Sequence, residues 1–137
     1  MQYFAPGYYN HQTSNERIVM KLIVHSIENN GVLQSERVLI QVKGSVNIGK
    51  YIIRDTTYID DKTVSNELRH IYWFPDKDVS AGDWIIIYTK DGTPRSYINN
   101  NDTTIHELYW NLGKTVWNKD GDCAILFEII EWMFKKG

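Results

Sequence analysis

The hydrophobic positions of this chain come in short runs separated by turn-forming residues. Arg17 to Ile27 reads as a first strand. Val38 to Lys43 reads as a second, with Val38, Ile40 and Val42 alternating onto one face, the two-residue period of a half-buried strand. Gly44 to Gly49 forms a turn before Tyr51-Ile52-Ile53. Arg69 to Phe74 places Ile71 and Trp73 on one side and Tyr72 and Phe74 on the other, and Pro75 ends it. Ser80-Ala81-Gly82-Asp83 is a turn ahead of Trp84-Ile85-Ile86-Ile87-Tyr88, an unbroken apolar run suited to a central strand covered on both faces. Asn99 to Thr104 is a polar loop, and Thr115 to Asn118 and Cys123 to Ile130 complete the strands.

The tail admits two readings. Ile125, Leu126, Ile129, Ile130, Met133 and Phe134 recur at helical spacing opposite Glu128 and Glu131, as in an amphipathic helix. The turn at Gly121, opening straight into Cys123, and the β-rich context favour a strand to about residue 130. At the other end, residues 1–16 carry Tyr3, Phe4, Tyr8 and Tyr9 without a period and are expected to form an extended aromatic arm on a body spanning 17–137.

Composition strengthens the β reading. Among 137 residues there are 17 isoleucines, 9 valines and 18 aromatics against 3 alanines and 7 leucines. β-branched and aromatic side chains suit a pleated surface, whereas alanine and leucine lead the helix scale. The length is that of one domain. Short strands at this spacing predict an all-β sandwich or barrel.

Charge and targeting signals narrow the function classes. The net charge is −2 and the longest basic run is Lys135-Lys136, so a nucleic-acid role, which needs clustered cations, is not expected. The N-terminus has no basic n-region followed by an apolar stretch, and no run is long enough for a membrane span. A cytoplasmic location is the default expectation. Cys123 is the only cysteine, lies in an apolar run and is expected to behave as a small buried hydrophobe.

Motifs for catalysis are thin. Gly44 to Lys50 has the outline of a phosphate loop, but Tyr51 stands where Ser or Thr must follow the lysine. Asn118 to Asp122 has the outline of a calcium loop, but Val116 and Phe127 occupy its first and last ligand positions. Asp76, Asp78 and Asp83 could line a weak cation site. His11, His25, His70 and His106 show no metal-ligand spacing, and no nucleophile elbow is present. His106, beside the polar loop and Glu107, is the one histidine in company suited to binding or catalysis. Each of the five tryptophans is expected in the core, with Tyr109-Trp110 as the exception: aromatics exposed beside a loop are frequent binding hot spots. His106, Tyr109 and Trp110 are therefore the candidate binding residues. No metal ligand, catalytic residue or cofactor is assigned.

The order Glu36-Arg-Val-Leu-Ile-Gln-Val, Gly49-Lys-Tyr-Ile-Ile-Arg-Asp55, His70-Ile-Tyr-Trp-Phe-Pro75 and Ser80-Ala-Gly-Asp-Trp-Ile-Ile-Ile-Tyr-Thr89 resembles the lamin-tail domain. So do Leu108-Tyr-Trp110 and Val116-Trp-Asn-Lys-Asp-Gly-Asp-Cys-Ala-Ile-Leu126. The family occurs in nuclear lamins and many bacterial proteins, and the resemblance spans about residues 18–130. It implies an immunoglobulin-like β-sandwich in which Trp117 fills the core and Asn118 with Gly121-Asp122 shapes a hairpin. Lys50-Tyr51 departs from the family's usual Gly-Trp, so Tyr51 must take over a core tryptophan's volume. The resemblance implies no catalytic residues and points to recognition of proteins, with DNA or surface association in some members.

The expected function is a non-catalytic binding or structural module acting through protein contacts or self-association, the aromatic arm being one route to a homo-oligomer. The alternative is a small metal-dependent enzyme, or an accessory domain of a hydrolase or nuclease, with its metal at the Asp-rich loop rims.

Overall fold

The computed structural model describes residues 8–10, 20–117 and 120–137. Its strands are β1 (Tyr8–Asn10), β2 (Leu22–Glu28), β3 (Arg37–Val42), β4 (Val46–Asn47), β5 (Tyr51–Thr57) and β6 (Thr63–Ser65). They continue with β7 (Ile71–Trp73), β8 (Asp78–Val79), β9 (Trp84–Tyr88), β10 (Arg95–Ile98), β11 (Thr104–Tyr109) and β12 (Asp122–Glu128). The only helical element among the described residues is a 3-10 turn, Ile48–Lys50. The all-β expectation is met: a five-stranded sheet in the order β10-β11-β9-β3-β2 packs against a three-stranded sheet in the order β12-β5-β7 in a sandwich-like arrangement. Two ribbons, β1-β6 and β4-β8, complete the pairing.

The alternation read from sequence decides which side of each strand is inward. Val38, Ile40 and Val42 of β3, Ile85 and Ile87 of β9, and Tyr51 and Ile53 of β5 meet in one core with Leu22, Leu108, Trp110 and Trp117. Burying such side chains contributes about 1.5–3 kcal/mol each before entropy is counted. Tyr51 is fully buried and its hydroxyl oxygen accepts the Lys21 N–H at 3.3 Å. β9 is flanked by β3 and β11, as a central strand should be, but Trp84, Ile86 and Tyr88 on its outer side are only half-buried.

Several expectations need correction. The 44–49 turn also contains β4 and the 3-10 turn, whose first free N–H, that of Gly49, is accepted by Asn47 Oδ1 at 2.8 Å. β10 and β11 are strands that the apolar pattern does not predict, because Arg95, Ser96, Thr104, His106 and Glu107 interrupt any alternation. They form a hairpin around the 99–103 loop, and β11 returns between β10 and β9, running parallel to β9. Residues 115–117 form no strand. The last strand ends at Glu128, and neither it nor a helix continues through the tail. Of the expected arm, Tyr8–Asn10 pairs with Thr63–Ser65; residues 1–7 and 11–16, like Asn118, lie outside the described residues. No helix among the described residues is long and apolar enough to cross a membrane.

Candidate functional site

The β10–β11 hairpin sets His106 directly opposite Ser96. Its side chain is 7% exposed and bonded at both nitrogens: Nδ1 lies 2.7 Å from Ser96 Oγ and Nε2 lies 2.8 Å from Asp83 Oδ2. Asp83 comes from the turn before β9, where Gly82 takes φ +94° and the same carboxylate oxygen accepts the Ser80 N–H at 3.0 Å. A carboxylate only accepts, so Nε2 carries the imidazole proton. In the neutral imidazole Nδ1 is then the acceptor, and Ser96 Oγ–H donates to it. The structure therefore builds a Ser96–His106–Asp83 relay with the serine exposed and the histidine buried.

The next residue faces the other side of the sheet. Glu107 is buried, pairs with Arg95 Nε and lies 3.5 Å from the Tyr88 hydroxyl. Tyr88 and Tyr109 stack with centroids 5.3 Å apart, Lys90 lies over Tyr88, and Arg95 lies over Tyr97. Partial burial and the Glu107 charge raise the hydroxyl pKa of both stacked tyrosines, since each disfavours phenolate.

Trp110 does not share this surface. It is 9% exposed, packs on Tyr72 and Trp117, and donates Nε1–H to the Ile71 carbonyl at 3.1 Å. The expectation of an exposed Trp110 is corrected: with one residue's step per face along the strand, Tyr109 turns outward and Trp110 inward. The three candidate residues thus sit in three different environments.

The outer face of the three-stranded sheet is largely apolar. Cross-strand register sets Phe127, Ile52 and Trp73 side by side, and Ile125, Arg54 and Ile71 in the next row. Ile71 is 51% exposed and Trp73 46%. Beyond β12 the tail leaves Trp132 63% and Phe134 76% exposed, and Trp132 meets Trp73 edge-to-face at 5.0 Å. The expectation of core packing fails at Trp73 and Trp132, which lie exposed on this side, and at Trp84, half-buried on the outer side of β9. Arg54 Nε, buried within this face, has no hydrogen-bond partner among the described residues.

The carboxylates of Asp55 and Asp83 are occupied. Asp55 accepts His70 N–H at 2.6 Å and pairs with Arg69, which also reaches Asp122. Asp83 is engaged by His106 and Ser80, and among the described residues no three His, Cys, Asp or Glu side chains gather as a metal-ligand group. Burial raises the Cys123 thiol pKa, which keeps it protonated at neutral pH.

Ser96 and Asp83 were the partners missing from the sequence reading of His106. A signal existed: treating 99–103 as a hairpin turn pairs Ile98 with Thr104 and hence Ser96 with His106. Asp83 has no such local signal, because its approach depends on the parallel β9–β11 pairing. No family model matches the chain, and the search of curated proteins found no match.

Proposed function

We propose that this chain is a lamin-tail-like sandwich of immunoglobulin type that serves as a binding module, associating with a second copy of itself through the outer face of the β12-β5-β7 sheet. The contiguous apolar array of Phe127, Ile52, Trp73, Ile71 and Trp132 carries this reading, because large exposed apolar patches mark association surfaces. Self-association is favoured over another protein because one chain supplies both halves of the contact. The tail offers exposed Ile130, Met133 and Phe134 beside an apolar sheet face, and a two-fold axis lets each copy set these side chains against the other's face. Charge is complementary as well: the half-buried Arg54 lies within the face, and Glu131 is exposed in the tail.

Solution mass measured by light scattering over a concentration series tests the proposal. A dimer is expected that dissociates in Trp73→Ser/Phe127→Ser and in Arg54→Glu, and that Arg54→Glu/Glu131→Arg restores. A wild-type monomer at about 100 µM, or a dimer lost only on removing residues 1–15, would overturn it.

A further inference from the structure

We propose that Ser96 is an activated serine that accepts an acyl group from reactive carboxylic esters, with His106 as its general base and Asp83 as a positioning residue. The inference is independent of the dimer face, which lies on the other sheet.

The geometry is that of nucleophile, base and orienting carboxylate within hydrogen-bond reach of one another. The Ser96 Oγ to His106 Nδ1 distance of 2.7 Å and the His106 Nε2 to Asp83 Oδ2 distance of 2.8 Å are both short enough for proton transfer and orientation. Asp83 specifies the tautomer that leaves Nδ1 free to take the serine proton, and its charge stabilises the imidazolium that forms. The accessibility of the three groups is graded in a useful order. His106 is buried, which shields the base from water, whereas Ser96 is exposed on the strand that forms the sheet edge among the described residues, where an ester can reach it.

The edge strand supplies the remaining elements. Among the described residues β10 pairs on one side only, so alternate backbone N–H groups along it face away from the sheet and can donate to the oxygen of an ester carbonyl. Ile98, two residues on and therefore on the same strand face as Ser96, is 68% exposed and offers an apolar rest for a short acyl chain. The substrate class is accordingly a small ester with a good leaving group and an apolar acyl part.

The reaction balances without a further co-reactant. Ser96 Oγ forms a bond to the carbonyl carbon as its proton passes to His106 Nδ1. The bond from that carbon to the leaving oxygen breaks, and the departing alkoxide or phenolate takes the proton from Nδ1. The products are an O-acyl serine and a free alcohol or phenol, with His106 neutral again.

The full chain incubated with p-nitrophenyl acetate, followed by intact mass and peptide mapping, tests this directly. Acetyl is expected on Ser96 well ahead of Ser45 and Ser80, which are also exposed and serve as controls within the same folded molecule. Ser96→Ala should lose the adduct, and His106→Gln should slow it about a hundredfold, the lower range for a general base. Asp83→Asn should slow it too, while the ¹⁵N shifts of His106 move from the Nε2–H to the Nδ1–H tautomer, a change that a purely structural Asp83 would not produce. Acetylation of Ser96 no faster than Ser45 and Ser80 would overturn the proposal, as would undiminished acetylation in Asp83→Asn once the tautomer has switched.

Discussion

Glu36 and Trp117 lie 81 positions apart in the chain and meet in the core, where Glu36 Oε1 accepts the Trp117 backbone N–H at 3.1 Å. The same fully buried carboxylate accepts Gly31 N–H at 2.9 Å, Thr89 Oγ1–H at 2.6 Å and Val116 N–H at 2.9 Å. One side chain thereby fastens three loops: those after β2, after β9 and before β12.

Removing that acceptor should be costly. Glu36→Ala leaves four donors without their partner, and at about 1–3 kcal/mol for each buried unsatisfied group the total rivals the stability of a small domain. Little folded protein is expected in guanidinium unfolding. Glu36→Gln, which replaces one accepting oxygen by a donor, should fold with a loss of about 1–3 kcal/mol and an unchanged slope. A Glu36→Ala protein as stable as wild type would refute the clamp.

Gly92 permits the Tyr88–Tyr109 stack. A Cβ at this position would overlap the Tyr109 ring, and the Gly92 N–H donates to Asn111 Oδ1 at 2.9 Å. Gly92→Ala should push Tyr109 off Tyr88 and change the near-ultraviolet circular dichroism. The stability loss should be about 1 kcal/mol, the low end for overpacking, because Tyr109 can swing towards solvent. An unaltered spectrum would show that the loop moves and the stack does not depend on glycine.

Alkaline pH should weaken the fold through Tyr72. Burial against Phe74 and Trp110 pushes its hydroxyl pKa from the ordinary 10.0 up to about 12, because phenolate is poorly solvated there. Between those values the unfolded chain has released a proton that the folded chain keeps, so unfolding is favoured as pH rises. The stabilisation is complete below pH 10 and lost as pH passes about 12. Burial raises Tyr51 in the same direction. Unfolding midpoints measured from pH 9 to 12 should fall more steeply in wild type than in Tyr72→Phe, and equal slopes would contradict this assignment.

Much of the sandwich was legible because β-sheet alternation is a local property. Val38, Ile40 and Val42 point inward whatever strand lies beside them, and Ile71 and Trp73 share the face opposite Tyr72 and Phe74 for the same reason. Where polar residues broke the alternation, in β10 and β11, the strands were invisible, although their hairpin register could have been counted from the 99–103 turn.

The amino-acid sequence by itself determined that this chain is β-structured and which side of most strands is apolar. It could not say whether an apolar side meets the core or solvent, because that depends on how many layers stack, and the tertiary structure leaves Trp73 and Trp132 uncovered while enclosing Trp110 and Trp117. Nor could it join Asp83 to His106 or Glu36 to Trp117. Those pairs span long loops and form only when separate strands are brought together, so their chemistry belongs to the assembled sheets and to no local stretch of sequence.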